Sequence, residues 1–402
     1  MSKNGSDVTS SARRVALVTN IPTPYRIPFF NELHRQLMSS GISLNVVFAA
    51  LGYRHRQWIV DMSECRFDYV VLNSPSIKYR DQEKTSFTFA GLGRILEEGR
   101  PSLVITMGFS IATTKLWLRS FFKRIPYIIW SEAVQNKYRP HSFIRILQRK
   151  AVVSRAAGFI ACGTKAKSYL QSLGAQEEKI DIAFSTVDTD YFRNETERLR
   201  SLSDADQRPK HLLSIGHFTK RKRTDLLLRA LHRLLQKRRD VVLDLVGEGP
   251  ERHSLECLVE ELKLHDAVHF MGFQQKTEIP KYLARARCFL FPSEYDVWGL
   301  VLIEAMSAGV PCLSSIYAGA TPDLIHEGKT GFSLDFSETD RVVDKINWLL
   351  DHPDQARMIG QAASRFIDES ASIKVSAARF IHALQKTLQL RSDHRLRSGI
   401  HP

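Results

Sequence analysis

Short apolar runs alternate with helix-period segments along most of this chain. Arg14–Asn20, Leu44–Phe48, Tyr69–Leu72, Leu103–Thr106 and Tyr127–Trp130 are runs of strand length, separated by helical or irregular stretches. Phe29, Phe30, Leu33 and Leu37 recur at helical spacing, so the segment after the first run is an amphipathic helix entered through a rigid turn at Pro22 and Pro24. Alternation of this kind predicts a parallel, doubly wound α/β sheet. A charged stretch poor in large apolar residues, Asn194 to Lys210, reads as a linker. The alternation then resumes with a strand at His211–Ile215, a helix at Thr224–Leu235, and a strand and helix opening at Val241. A chain of 402 residues suits two such domains better than one.

The most informative stretch is Phe291 to Ser315. An apolar run, Cys288 to Phe291, predicts a buried parallel strand, and apolar periodicity from Val297 to Met306 predicts the helix after it. The polar turn between them lies where α/β proteins bind anions, because a helix start offers unpaired N–H groups and partial positive charge. Gly299 lets a ligand approach the backbone closely. Asp296 and Glu304 stand eight apart, so both carboxylates can face one crevice; the plainer alternative is an N-cap and a solvated helix acid. KRKR, Lys220 to Arg223, is either a solvated surface or a phosphate site.

Formal charge of +14 implies anionic partners without choosing among them. Five cysteines, odd in number and without a C-x-x-C pair, imply reduced thiols rather than disulfides or a zinc site. No apolar run approaches the ~20 residues that cross a bilayer, and the first dozen residues are polar, so a cytoplasmic location is expected. Two basic, apolar segments, Lys115–Arg124 and Phe143–Arg155, are either ordinary helices packed on the sheet or a surface for anionic lipid. In the second, Phe143, Ile146, Leu147 and Val153 are expected on one side of a helix.

The run PSEYDVWGLVLIEAMSAGVP resembles the retaining glycosyltransferases of family 4, which have two Rossmann-like domains facing across a cleft, the GT-B fold. The family's paired acids correspond to Asp296 and Glu304, with aspartate where glutamate is commoner, and its Gly-x-Pro strand entry to Gly309–Pro311. Lys222 falls at the family's phosphate-binding lysine, followed by Asp225-Leu226-Leu227, while His217 stands where many relatives have arginine. Near the N-terminus Pro24-Tyr25-Arg26 resembles a PYR-bearing subset.

The resemblance implies an acceptor-binding domain at 1–193, a linker at 194–210, a nucleotide-sugar domain at 211–370, and a C-terminal helix at 371–402 that crosses back to the first domain and ends in a frayed basic tail. It implies a donor diphosphate on Lys222 and on the backbone of Gly299, Leu300 and Val301. Glu304 would accept from the ribose and Asp296 from the sugar, with Gly216, His217 and Phe273 also at the donor. Glu132 either handles the acceptor or is a loop acid. Tyr25 and Arg26 lie on the acceptor side, Arg26 as phosphate ligand or salt bridge. Asp188 and Asp190 are a structural turn, and no metal or other cofactor is expected.

The expected function is retaining transfer of a hexosyl group from a nucleotide-sugar to a carbohydrate or lipid-linked acceptor in cell-surface polysaccharide or glycolipid synthesis, in the cytoplasm or peripherally on the membrane's inner face. Alternatives are a nucleotide-sugar epimerase on the same fold and a non-catalytic subunit. Nucleic acid is not an expected partner, because RNA-binding aromatic motifs and zinc-finger spacings are absent.

Overall fold

The computed structural model describes residues 13–52, 57–78, 85–123, 125–135, 142–202 and 209–397. The polar N-terminal dozen, the middle of the expected linker and the last five residues lie outside these. The strands, in chain order, are β1 Arg13–Thr19, β2 Ile42–Phe48, β3 Asp68–Val71, β4 Ser76–Lys78, β5 Thr85–Phe87, β6 Leu103–Met107, β7 Tyr127–Ser131, β8 Gly158–Ala161, β9 Ile180–Ile182, β10 Lys210–Ile215, β11 Val241–Val246, β12 Val268–Gly272, β13 Ala286–Phe291, β14 Cys312–Ser315 and β15 Phe332–Leu334.

One parallel sheet has the order β3-β2-β1-β6-β7-β8-β9 and a second has β12-β11-β10-β13-β14-β15, with β4 and β5 forming a small antiparallel hairpin. In β1, Val15 and Leu17 pack into one apolar layer and Ala16 and Val18 into the other. Burial on both faces is why these strands read as continuous apolar runs rather than alternating ones. In each sheet the strand order reverses beside the first strand, between β1 and β6 and between β10 and β13. Such switch points open a crevice at the carboxyl ends of the strands, where ligands bind.

Three expectations need correction. The linker from Asn194 is, as far as Ser201, the second half of a helix, Thr189–Ser201. Asp190, Glu197 and Arg198 are on the outer face, while Phe192 and Thr196 are buried and Arg200 donates to the carbonyls of Leu283, Ala284 and Ala308 at 3.3, 3.4 and 2.8 Å. The final helix runs from Ile373 to Arg397, well into the expected frayed tail. Its Phe380 ring meets Phe29 and Trp130 with centroids 5.6 and 5.1 Å apart, so the chain's end completes the core of its first domain. The helix Phe143–Ser154 buries Val152 and Val153, but Phe143, Ile144 and Leu147 are exposed.

Candidate active site

At the carboxyl end of β10 the chain runs through Gly216 and His217 into a single 3-10 turn, Lys220–Lys222. Arg223 then adopts φ +50° and binds Asp225 through two 3.1 Å hydrogen bonds, which sets the start of the helix Thr224–Leu235. Next door, β13 ends at Phe291 and leads to Asp296. Because β10 and β13 are paired neighbours, the two turns meet: the Lys222 ammonium donates to Asp296 and lies 4.9 Å from the centre of the Phe291 ring. Arg221 stands 3.9 Å from the same carboxylate.

Gly299 has φ +109°, and a Cβ there would stand 2.8 Å from the Phe291 ring. This left-handed residue starts the helix at Leu300 rather than at the expected Val297. The carbonyls of Asp296 and Trp298 instead accept from the N–H groups of Gly319 and Ala320, at 2.9 and 3.1 Å. Glu304, just over one turn into the helix, faces the same crevice as Asp296.

The crevice is a cavity of about 510 Å³, within the range of small-molecule sites. Lys222, Asp296, Glu304, Gly216, His217, Phe273, Gly299, Leu300 and Val301 line it from the second domain, and Tyr25 and Glu132 from the first. Arg26 does not line it. Its guanidinium donates to Glu132 at 3.5 Å and lies 5.5 Å from the Trp130 ring, which makes it a partly buried salt bridge. Ser185 donates a second, 2.6 Å bond to the same Glu132 oxygen.

The two paired acids differ in electrostatics. Burial raises the pKa of Asp296, but the Lys222 and Arg221 charges more than reverse this and hold it below the ordinary aspartate value. Glu304 has only Lys276 to offset its burial, and its pKa is pushed up to about 7. One carboxylate is thus firmly anionic, and its neighbour is poised to gain or lose a proton near neutrality.

Residues 195–366 match the model of the glycosyl transferases group 1. The match takes in less than half of the chain, chiefly its second domain. It is 32% identical over 179 residues to N-acetyl-alpha-D-glucosaminyl L-malate synthase of Bacillus anthracis, covering 44% of this chain and 46% of that one. Over 233 residues it is 32% identical to the sulfoquinovosyl transferase SQD2 of Arabidopsis thaliana, covering 55% and 42%. The chain thus spans less than half the length of these curated relatives.

Among solved structures it resembles Anabaena HepE in complex with UDP, with TM-score 0.73 at 16% identity over 93% of this chain and 100% of that one. Sucrose-phosphate synthase from Thermosynechococcus elongatus gives 0.74 at 19% identity over 94% and 100%. At such identities the likeness is one of fold, and the fold of this chain is GT-B.

Several cavity residues escaped the sequence reading. Lys276 lines the pocket, is the charge opposing the burial of Glu304, and pairs with Asp188 at 3.3 Å. Asp188 also caps the helix Thr189–Ser201 by accepting from the Tyr191 N–H. Gln57 and Trp58 form part of the first-domain wall, Trp58 edge-on to Tyr25 with centroids 5.6 Å apart. Lys276 follows a strand by a few residues in a polar stretch, and Trp58 lies in an irregular one, so neither carries a local signal. One other constellation among the described residues has metal-ligand spacing: His211, Asp244 and His269. It belongs to the strands rather than to the turns at their carboxyl ends, and Arg285 already binds its carboxylate at 2.9 Å.

Proposed function

We propose that this chain is a retaining glycosyltransferase that moves a hexosyl group from a nucleoside diphosphate sugar to a carbohydrate or lipid-linked acceptor, in surface polysaccharide or glycolipid synthesis at the inner face of a membrane. The observation that carries the proposal is the meeting of Lys222, Asp296, Glu304 and the N-terminus of the Leu300–Ser307 helix on one cavity.

A donor diphosphate takes the Lys222 ammonium and the N–H groups of Leu300 and Val301, while a sugar hydroxyl takes Asp296 in place of the lysine. Glu304 accepts from the ribose. The bond between the anomeric carbon and the diphosphate oxygen breaks with its electron pair going to that oxygen, where fixed positive charge stabilises it. The acceptor hydroxyl attacks the same face of the short-lived oxocarbenium ion, and its proton passes to the departing diphosphate. Lys222, Arg221 and the helix start supply the charge that a divalent metal would otherwise bring, so turnover survives chelation. Glu132, held by Ser185 and Arg26, orients the acceptor.

Melting curves with UDP, GDP, ADP and CMP identify the nucleotide. A bound one at a hundred times its Kd adds about 2.7 kcal/mol. With that donor, Lys222→Ala is expected to lower kcat by roughly a hundred-fold or more. An unchanged kcat, or a product with inverted anomeric configuration by proton NMR, overturns the mechanism.

A further inference from the structure

Six large apolar side chains stand exposed on two neighbouring pieces of the first domain: Leu118, Phe121 and Phe122, and Phe143, Ile144 and Leu147. Phe122, Phe143 and Ile144 are 88%, 78% and 77% exposed. The first three end the helix Ile111–Arg119 and its following turn; the others open the helix Phe143–Ser154. Strands β6, β7 and β8 are adjacent and parallel, so right-handed crossovers place both helices on one face of the sheet. There they lie side by side. Gln148 donates to Thr114 at 2.9 Å, and Arg155 donates to the Ser120 hydroxyl at 2.8 Å with its guanidinium 4.1 Å from the Phe121 ring centre.

The inner faces are satisfied by Ala112, Leu116, Val152 and Val153, which are buried in the core. The outer apolar residues are therefore surplus to folding. Single exposed hydrophobics are ordinary, but six along one helix pair mark an interaction surface.

Its charge selects the partner. Residues 111–123 and 142–155 contain no aspartate or glutamate, while Lys123, Arg145, Lys150 and Arg155 are exposed among the apolar side chains. Glu97 is an acid beside the patch, shared by Arg119 and Lys123 at 3.0 and 3.9 Å. A second copy of this chain would bring like charge against like. Apolar tips ringed by cations suit an interface with anionic headgroups outside and acyl chains within. The geometry points to this helix pair as the surface by which the chain docks on an anionic bilayer, inserting Phe122, Phe143 and Ile144.

Both helices begin at the carboxyl ends of their strands, the side on which the cavity opens, and the Phe143 end lies there. Phe121 lies about 18 Å further along the helix axis. Docked in this way, the end of the first domain on which the cavity opens lies beside the bilayer contact, within reach of a lipid-linked acceptor. The inference deepens the location proposed above, and its test needs no donor, so the two readings fail separately.

The full chain is centrifuged with phosphatidylcholine vesicles and with vesicles containing phosphatidylglycerol. Binding is expected only to the anionic vesicles, and the variant Phe122→Ser/Phe143→Ser/Ile144→Ser is expected to weaken it roughly ten-fold or more at unchanged Tm. The variant Arg145→Gln/Lys150→Gln is expected to weaken it less, by a few-fold. Three outcomes overturn the inference: no binding to anionic vesicles at low salt, binding indifferent to the three apolar replacements, or a dimer in light scattering that those replacements abolish. If the triple variant fails to fold, quenching of a bimane label at Phe143→Cys by brominated acyl chains decides, and an unquenched label overturns the inference.

Discussion

Lys222 and Asp296 are partners in the structure, yet the proposed reaction needs them apart, the lysine on the diphosphate and the aspartate on the sugar. Breaking a buried pair by removing one partner leaves the other uncompensated, so a ligand that offers both groups new partners is selected over one that offers only one. Asp296→Asn releases the lysine without removing bulk. Free nucleoside diphosphate is expected to bind this variant at least as tightly in calorimetry, while turnover of the whole donor falls by about a hundred-fold; a matched loss of both would place Asp296 on the nucleotide. Glu304 makes a different prediction, because its pKa is raised from 4.5 to about 7. The folded state then binds more protons than the unfolded one between these values, so its contribution to stability is present below about pH 4.5 and is lost as pH rises towards 7. Glu304→Gln removes this slope and is expected to be the more stable protein at pH 8, by up to roughly 3 kcal/mol, in denaturant titrations. It is also expected to bind donor more weakly. Wild-type donor affinity is expected to rise through pH 7 as the carboxylate ionises, and the variant's to rise less.

The controlling element is the turn from β13 into the helix Leu300–Ser307. It works because Gly299 takes a positive φ, which aims the first N–H groups into the cavity and lets the backbone pass against the Phe291 ring. Opposite it, the β11 turn at Gly247 has φ +144° and approaches the β10 turn so closely that a Cβ would fall 1.9 Å from the Gly216 carbonyl oxygen. Two backbones pressed together leave room in front of them for a ligand. Gly299→Ala is expected to cost about 1–3 kcal/mol by strain alone. It is also expected to abolish the nucleotide-dependent rise in Tm; a variant that keeps that rise would show that the helix start does not touch the diphosphate.

At the scale of the molecule, the two domains meet through specific contacts beside the cavity. The Trp298 indole N–H donates to the Ser185 carbonyl at 2.8 Å, the Asp323 carboxylate accepts from the Thr164 N–H at 2.9 Å, and the Gln275 side chain donates to the Gln57 carbonyl at 3.0 Å. Ser185 thus serves both sides, its carbonyl holding Trp298 and its hydroxyl holding Glu132. The final helix adds a longer connection, packing Phe380 and Leu384 into the first domain's core and pairing Lys386 with Asp181 at 3.0 Å. Phe380→Ala is expected to cost about 3–5 kcal/mol in chemical denaturation, with the loss read at a first-domain probe such as Trp130. Equal destabilisation of the second domain would show that the two unfold together.

The sequence by itself determined the two doubly wound sheets, because strands buried on both faces must be apolar throughout and their helices must carry an apolar stripe. It also marked the second domain's share of the cavity wall, since Lys222, Asp296, Gly299 and Glu304 sit at two short strand-to-helix turns whose spacing is local. The character of residues 194–201 was not legible. A helix with Phe192 and Thr196 as its buried contacts and arginines elsewhere has a linker's composition, and only its seat on the second domain shows which face is inside. Nor was the company of Glu132. Arg26 is 106 residues away and Ser185 is 53, and they meet only because β1, β7 and the segment after β9 end at one edge of one sheet. Tertiary structure likewise seated Arg26 in a salt bridge with Glu132, and left Phe143, Ile144 and Leu147 in solvent, where the sequence had left packing on the sheet and a lipid surface both open. Periodicity records which side chains share a face of an element; what that face meets is decided by chain from elsewhere in the sequence.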